Sequence, residues 1–336
     1  MEMKEYIREF TLKDIVTVRN PKVVAIGGGT GLSSILRGLK KYTSRLTAIV
    51  TVGDDGGSSG MLRQDLGMLP PGDIRNCILA LADDENVMQQ LFNYRFTEGG
   101  LNGHNFGNLF LAAMNGISAD FYDAIRRTSD VLQIKGRVLP VTLDEMTLVG
   151  ELENGETVVG ESHIPRAAFK ARCHIRKIRL EPEQITPLEE TIEAIKAADI
   201  VIIGPGSLYT SVIPNLLIPG IEQAILDNRG RKFYVGNIMT QPGETDGYTH
   251  ADHIHAIEDH QHFKNRHLFE YAVLNDGMLP ENDRMTYEKY SACRVEMGEN
   301  LSDYTYIIDD FIISEGGRIR HDADLLARRI FETYVH

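Results

Sequence analysis

The residues best suited to chemistry in this sequence are glycines. Gly27-Gly28-Gly29-Thr30-Gly31 and, much later, Gly204-Pro205-Gly206-Ser207 each follow a short apolar run, Val23–Ile26 and Ile200–Ile203. Glycines let a backbone turn sharply off a strand and approach a phosphate closely, while the next helix presents unpaired N–H groups to it. The candidates in the first loop are Gly28, Gly29, Thr30 and Gly31. In the second they are Gly206, Ser207 and Thr210, with Ser211, whose hydroxyls suit a helix cap or phosphate oxygens. Strand ends of a parallel sheet open onto one crevice, so two such loops fit a diphosphate better than a monophosphate. The dinucleotide fingerprint G-x-G-x-x-G is not met, because Leu32 stands where its third glycine belongs.

Acids and amides surround these loops in sequence. Asp54 and Asp55 end the second apolar run, Leu46–Val52. Asp54 has three readings: a magnesium ligand sharing the metal with substrate phosphates, an acceptor for the ribose hydroxyl of NAD, or a solvated turn residue. Asp73, in PPGDIRN, reads as a helix N-cap, and Arg63 and Arg75 as partners for phosphate or for nearby acids. His104, in GHNFGN, is either an acid/base group or a hydrogen-bonding residue at a helix start. Asn237 and Gln241, with Thr240, Glu244 and Thr245, suit sugar hydroxyls, a base edge or ordinary loop packing. The histidine-rich stretch from His250 to His267 could bring His250, His253 and Asp252 to one metal. It has no HExxH pattern and is as polar as a solvated helix face, so the structural reading is preferred.

The elements that must position these residues follow from periodicity. An apolar strand, a glycine turn, helical spacing at Leu32, Ile35, Leu36 and Leu39, and a second apolar strand make a βαβ unit. Residues 73–131 are helical in pattern. The short alternating segments at 137–180, around Asn154-Gly155, predict a small antiparallel β insertion. The α/β rhythm then resumes, with a helix at 188–197, strand Ile200–Ile203, a helix near 219–227 and strand Phe233–Val235. The fold class is α/β, a parallel sheet with helices on both faces, in one domain over 21–336 after an N-terminal extension at 1–20.

Composition narrows the function. With 42% hydrophobic and 25% charged residues, the 336-residue chain can bury a large core. A formal charge of −13 argues against nonspecific binding to nucleic acid or to anionic membranes. No apolar run approaches the roughly 20 residues that span a bilayer, and residues 1–20 lack the core of a signal peptide, so a cytoplasmic location is expected. Cys77, Cys173 and Cys293 are too far apart for zinc spacings or a disulfide framework. An acidic surface with interspersed apolar helices permits a homodimer; no protein partner is legible.

Six motifs in order, GGGTGLSSILRGLK, DDGGSSGMLR, PPGDIRN, GHNFGNL, GPGSLYTSVIPNLL and NIMTQPGETDGYT, resemble the YvcK-type gluconeogenesis factor family of the CofD-like superfamily. The resemblance is strong over about residues 22–260 and leaves the first twenty outside. It implies a Rossmann-like fold, a cytoplasmic bacterial protein, and binding of UDP-sugars, UDP-N-acetylglucosamine in particular. It also implies a role in cell shape and wall integrity during gluconeogenic growth. The superfamily's transferase branch moves a phospholactyl group from a GDP-linked donor with magnesium. By motif, Gly29, Thr30 and Gly31 match the first phosphate loop, Asp54 the acidic strand end, and Gly206 and Ser207 the second loop. Tyr290 (in EKYS) and Arg320 (in RIRHDA) are similar to residues near the uridine diphosphate. After Asp54-Asp55 the chain carries GGSSGMLR instead of the transferase branch's acidic segment, so binding is expected over catalysis; a magnesium-dependent transferase and an NAD-binding enzyme are the alternatives.

Overall fold

The computed structural model describes residues 11–83 and 86–336. Its strands, in chain order, are β1 (Val23–Gly27), β2 (Leu46–Val50), β3 (Arg137–Pro140), β4 (Thr147–Leu152), β5 (Thr157–Val159), β6 (Ile175–Glu181), β7 (Ile200–Ile203), β8 (Arg231–Val235), β9 (Tyr271–Asn275), β10 (Thr305–Asp309), β11 (Ile312–Glu315) and β12 (Arg318–His321). Seven of them form one sheet in the order β10-β9-β8-β7-β1-β2-β3, and every pairing in it is parallel. β1, β2 and β7 are buried at every position, as continuous apolar strands covered on both faces must be.

The chain winds outward from β1 to β3 in one direction and from β7 to β10 in the other. The switch point therefore lies between β1 and β7, where ligands bind in open parallel sheets. The register pairs Ile26 with Ile203, so the two glycine loops leave the sheet side by side.

The antiparallel insertion is present but begins later than the sequence pattern indicates. Arg137–Pro140 is not part of it; this segment is the edge strand of the main sheet, pairing with β2. Four residues are too few to separate alternation from a continuous apolar run, which is why the sequence misassigns them. The insertion proper is the sheet β5-β4-β6, with the helix Ile164–Ala171 crossing between β5 and β6. Asn154-Gly155 does form its turn, with Gly155 at φ +85°. The insertion is tied to the main body where Ser162 N–H donates to Asp55 (2.9 Å) and Ile178 N–H donates to His260 Nε2 (2.9 Å).

Of the N-terminal extension, the helix Leu12–Arg19 lies in the described region, opened by a capping box between Thr11 and Asp14. Its Val16 is fully buried in the main core, a contact that stabilises by roughly 1.5–3 kcal/mol. This helix is thus part of the packed fold; residues 1–10 lie outside the described residues.

The histidine-rich stretch is not a solvated face. His250, His253 and His260, on the helix His250–His260, are buried. Asp252 closes a capping box with Thr249, and the outward His255 contacts Glu258 and Glu299. Among the described residues no group of three or more His, Cys, Asp or Glu is arranged to hold a metal. Hydropathy alone missed this because an imidazole can be buried neutral when a backbone carbonyl satisfies it, as Thr249 O does for His253 Nδ1 (2.8 Å).

Candidate functional site

The crevice at the switch point is a cavity of about 530 Å³. One wall is the first glycine loop. Gly28 is the extended N-cap of the helix Gly29–Leu39 and has no side chain to cap it; the Gly29 N–H is taken by Asp73, and those of Thr30 and Gly31 stand at the cavity. A Cβ on Gly28 would sit 2.6 Å from Asp73 Oδ2 and 2.8 Å from Thr51 Cγ2. A Cβ on Gly31 would meet Pro205 O at 2.9 Å and Gly206 N at 3.0 Å. Only glycine allows the two loops to pack this closely.

The second loop is held from below. Asn237 grips Gly206 on both sides: its Oδ1 accepts from Gly206 N–H (3.2 Å) and its Nδ2 donates to Gly206 O (2.8 Å). Ser207 donates to Gln241 Oε1 (2.8 Å), and Gln241 Nε2 donates to Glu244 Oε1 (2.9 Å). Glu244 is buried and also accepts from Thr210 Oγ1 (3.0 Å) and Tyr209 N–H (3.1 Å). Burial holds its pKa up at about 7 against those bonds. Leu208–Val212 winds as a π-helical turn and buries Thr210. The loops are pinned together by Asn215, whose Nδ2 donates to Gly27 O (3.0 Å) and Ser211 O (2.7 Å).

The third wall comes from the C-terminal third of the chain. The helix Glu281–Glu288 supplies Tyr287, the next turn supplies Tyr290, and β12 supplies Arg318 and Arg320. Tyr287 accepts a hydrogen bond from Ile319 N–H (2.9 Å), which ties the helix to the β11–β12 hairpin. Tyr290 is 73% exposed. Among the described residues neither arginine forms an ion pair, so two guanidinium groups face a cavity rimmed by backbone donors.

The crevice therefore brings together Gly28, Gly29, Thr30, Gly31, Gly206, Ser207, Asn237, Gln241, Tyr290 and Arg320 from the sequence expectations. It does not gather all of them. Thr210 faces Glu244 within the protein, not the cavity. Asp54 turns Oδ1 to the N–H of Gly56 (2.9 Å) and neighbours Asp73, outside the lining. His104 lies elsewhere, within 3.4 Å of Ser58 Oγ, and the adjacent helix is capped by Asn105. Arg63 is structural, donating to Met146 O (2.8 Å), and Arg75 bonds to Asn108 and Asn76.

Asp73 is the residue that sequence reasoning most undervalued. It is not the N-cap of its helix, which begins at Gly72 after Pro71. As the second helical residue it accepts the Gly29 N–H, and burial beside Asp54 raises its pKa to about 7. Glu161, brought in by the insertion, is raised to about 8 by burial and by Asp54, Glu244, Asp55 and Asp73. No local signal marks Glu161, because its neighbours come from distant segments. Arg318 was more accessible, lying two residues before Arg320 and hence on the same face of a strand.

These features define the class: a doubly wound α/β protein whose switch-point crevice is built from two glycine loops, amides and unpaired arginines. A family model described as 2-phospho-L-lactate transferase CofD matches residues 23–311. The gluconeogenesis factor of Bacillus subtilis is 45% identical over 92% of this chain and 96% of its own length. A relative in Clostridium acetobutylicum is 51% identical over 95% of this chain, which spans 70% of that protein. A crystal structure of a UPF0052 family protein from Bacillus halodurans superposes with a TM-score of 0.86 at 44% identity, covering 92% of this chain and 98% of that one. The chain belongs to the CofD family, and within it to the YvcK-type gluconeogenesis factors. No helix among the described residues is long and apolar enough to cross a membrane.

Proposed function

We propose that the crevice binds a nucleoside diphosphate sugar, UDP-N-acetylglucosamine in the reading the family resemblance suggests, and that the protein acts as a ligand-responsive regulator and not through turnover. Such a regulator would link nucleotide-sugar supply to cell shape and wall integrity during gluconeogenic growth. The observation that carries this reading is the pairing of two glycine loops with Arg318 and Arg320 across one cavity of nucleotide-sugar size. Backbone donors and guanidinium groups suit a diphosphate. Gln241 and Thr240 suit sugar or base hydrogen bonds, and Tyr287 and Tyr290 offer ring faces. Among the described residues the lining has no carboxylate or cysteine, and its histidine, His321, is bonded through Nε2 to Gly236 O (3.0 Å). Calorimetric titration with UDP-N-acetylglucosamine tests it: saturable binding at one site per chain is expected, weakened about tenfold or more in Arg320→Ala. An absence of heat at millimolar ligand would overturn it.

A second reading, a magnesium-dependent transferase, is favoured by one observation, the grouping of the carboxylates Asp54 and Glu161 around Asp73, which bonds to Gly29 of the first loop. Hard oxygen ligands of this kind suit magnesium shared with a diphosphate. Asp54 and Asp73 would hold it, and when bound it would neutralise charge on the diphosphate. Release of nucleotide from a sugar or phospholactyl donor, abolished in Asp54→Asn, would favour this reading; no product across donors and acceptors would favour binding alone.

A further inference from the structure

The opposite edge of the sheet carries a second cleft, of about 480 Å³, whose chemistry differs from its surroundings. The parallel register explains how it arises. Val23 pairs with Leu46 and Thr47 with Arg137, so Lys22, Arg45 and Arg137 all gather at the amino ends of β1, β2 and β3. All three line the cleft, together with Ser44, Thr47 and the backbone at Gly136, and Glu193 is the one carboxylate among its lining residues. Among the described residues none of the three cations forms an ion pair. Lys22 is half-buried, and Arg45 and Arg137 are exposed.

Arg137 is also pre-set. Its Nε donates to Thr47 Oγ1 (3.0 Å), which fixes the plane of the guanidinium and leaves the two terminal nitrogens free as a fork. Gly136, at φ +103°, makes this approach: a Cβ there would lie 2.3 Å from Leu46 O. In a chain with a formal charge of −13, three cations outnumber the two nearby carboxylates, Glu193 in the lining and Asp199, which accepts the Lys22 N–H (2.7 Å), and reverse the local potential.

We propose that this cleft is a second anion site, distinct from the switch-point crevice, which takes a small diphosphate or bisphosphate anion. Arg137 grips one phosphoryl group through its fork, and Arg45 and Lys22 neutralise the other. The proposal stands apart from the reading of the crevice, since no residue is common to the two cavities.

Calorimetric titration with inorganic pyrophosphate tests it. The double variant Arg45→Ala, Arg137→Ala should bind one pyrophosphate fewer per chain than the unaltered protein, whether or not the crevice also takes this anion. Both substitutions are on exposed side chains, and a matching thermal melt checks that the fold is retained. Arg137→Lys keeps the charge but not the fork, and should weaken this site about tenfold. A parallel titration with fructose 1,6-bisphosphate separates adjacent from spaced phosphates; preference for either supports the site. Unchanged stoichiometry in the double variant would overturn the proposal, as would full affinity in Arg137→Lys, which would leave only diffuse electrostatic attraction.

Discussion

The two glycine loops leave neighbouring strands at the same height, yet they solve different problems. The first, Gly28–Gly31, has no cap from its own N-cap residue; Asp73 takes the Gly29 N–H, and Thr30 and Gly31 line the cavity with theirs. The second, Gly204–Ser211, is saturated from within: Asn237 holds Gly206, and Gln241 and Glu244 take up the hydroxyls of Ser207 and Thr210. The same punctuation in sequence thus yields one loop built to donate and one built to stay still. A rigid wall facing a row of preorganised donors is what a highly charged ligand needs, because little has to be reordered on binding.

Forcing the loops apart should produce the largest effect on ligand affinity. Gly31→Val places a side chain against Pro205 O and Gly206 N, and strain of about 1–3 kcal/mol is expected. Affinity for a diphosphate ligand should fall by about 10- to 100-fold at that strain, measured by calorimetry, with a smaller loss in thermal stability. Breaking the saturated loop comes next. Glu244→Ala leaves Thr210 and the Tyr209 N–H unpaired in the interior, on the order of 3 kcal/mol of stability by denaturant unfolding. Glu244→Gln should recover part of that loss.

A third prediction addresses the donor loop. Between pH 6 and 8 Asp73 passes from largely protonated to largely ionised, since its pKa is raised to about 7. An ionised Asp73 behind Gly29 repels a diphosphate, so affinity without divalent cations should fall with rising pH, by up to about tenfold. Asp73→Asn should flatten the profile. Stability moves in the same direction: the folded pKa lies above the unfolded one, so the folded state holds more protons in this window and stability declines as pH rises. The smallest effect sharpens the contrast between the loops. Thr210→Val should cost about 1 kcal/mol of stability and leave ligand affinity unchanged.

How much of this was legible beforehand follows the range of the interactions. The strands β1, β2 and β7 and their glycine turns are local patterns, and the fold class follows from them. Eight of the ten candidate residues that meet in the crevice follow strand ends of the parallel sheet, which topology brings to one edge; Tyr290 and Arg320 come from the helix Glu281–Glu288 and the β11–β12 hairpin. The misassigned residues depend on partners far along the chain. Thr210 is claimed by Glu244, Asp73 by Gly29, and Arg137–Pro140 by β2 in place of the insertion. The buried histidines show the same limit, since polarity along a helix does not reveal which face the rest of the fold will cover.

A structure of the protein with UDP-N-acetylglucosamine would decide the matter. The diphosphate should lie between the N–H groups of Thr30 and Gly31 and the Gly206–Ser207 backbone, with Arg320 on its oxygens and Thr210 still bonded to Glu244. A nucleotide sugar bound elsewhere, or a diphosphate that touches neither glycine loop, would contradict this reading of the crevice.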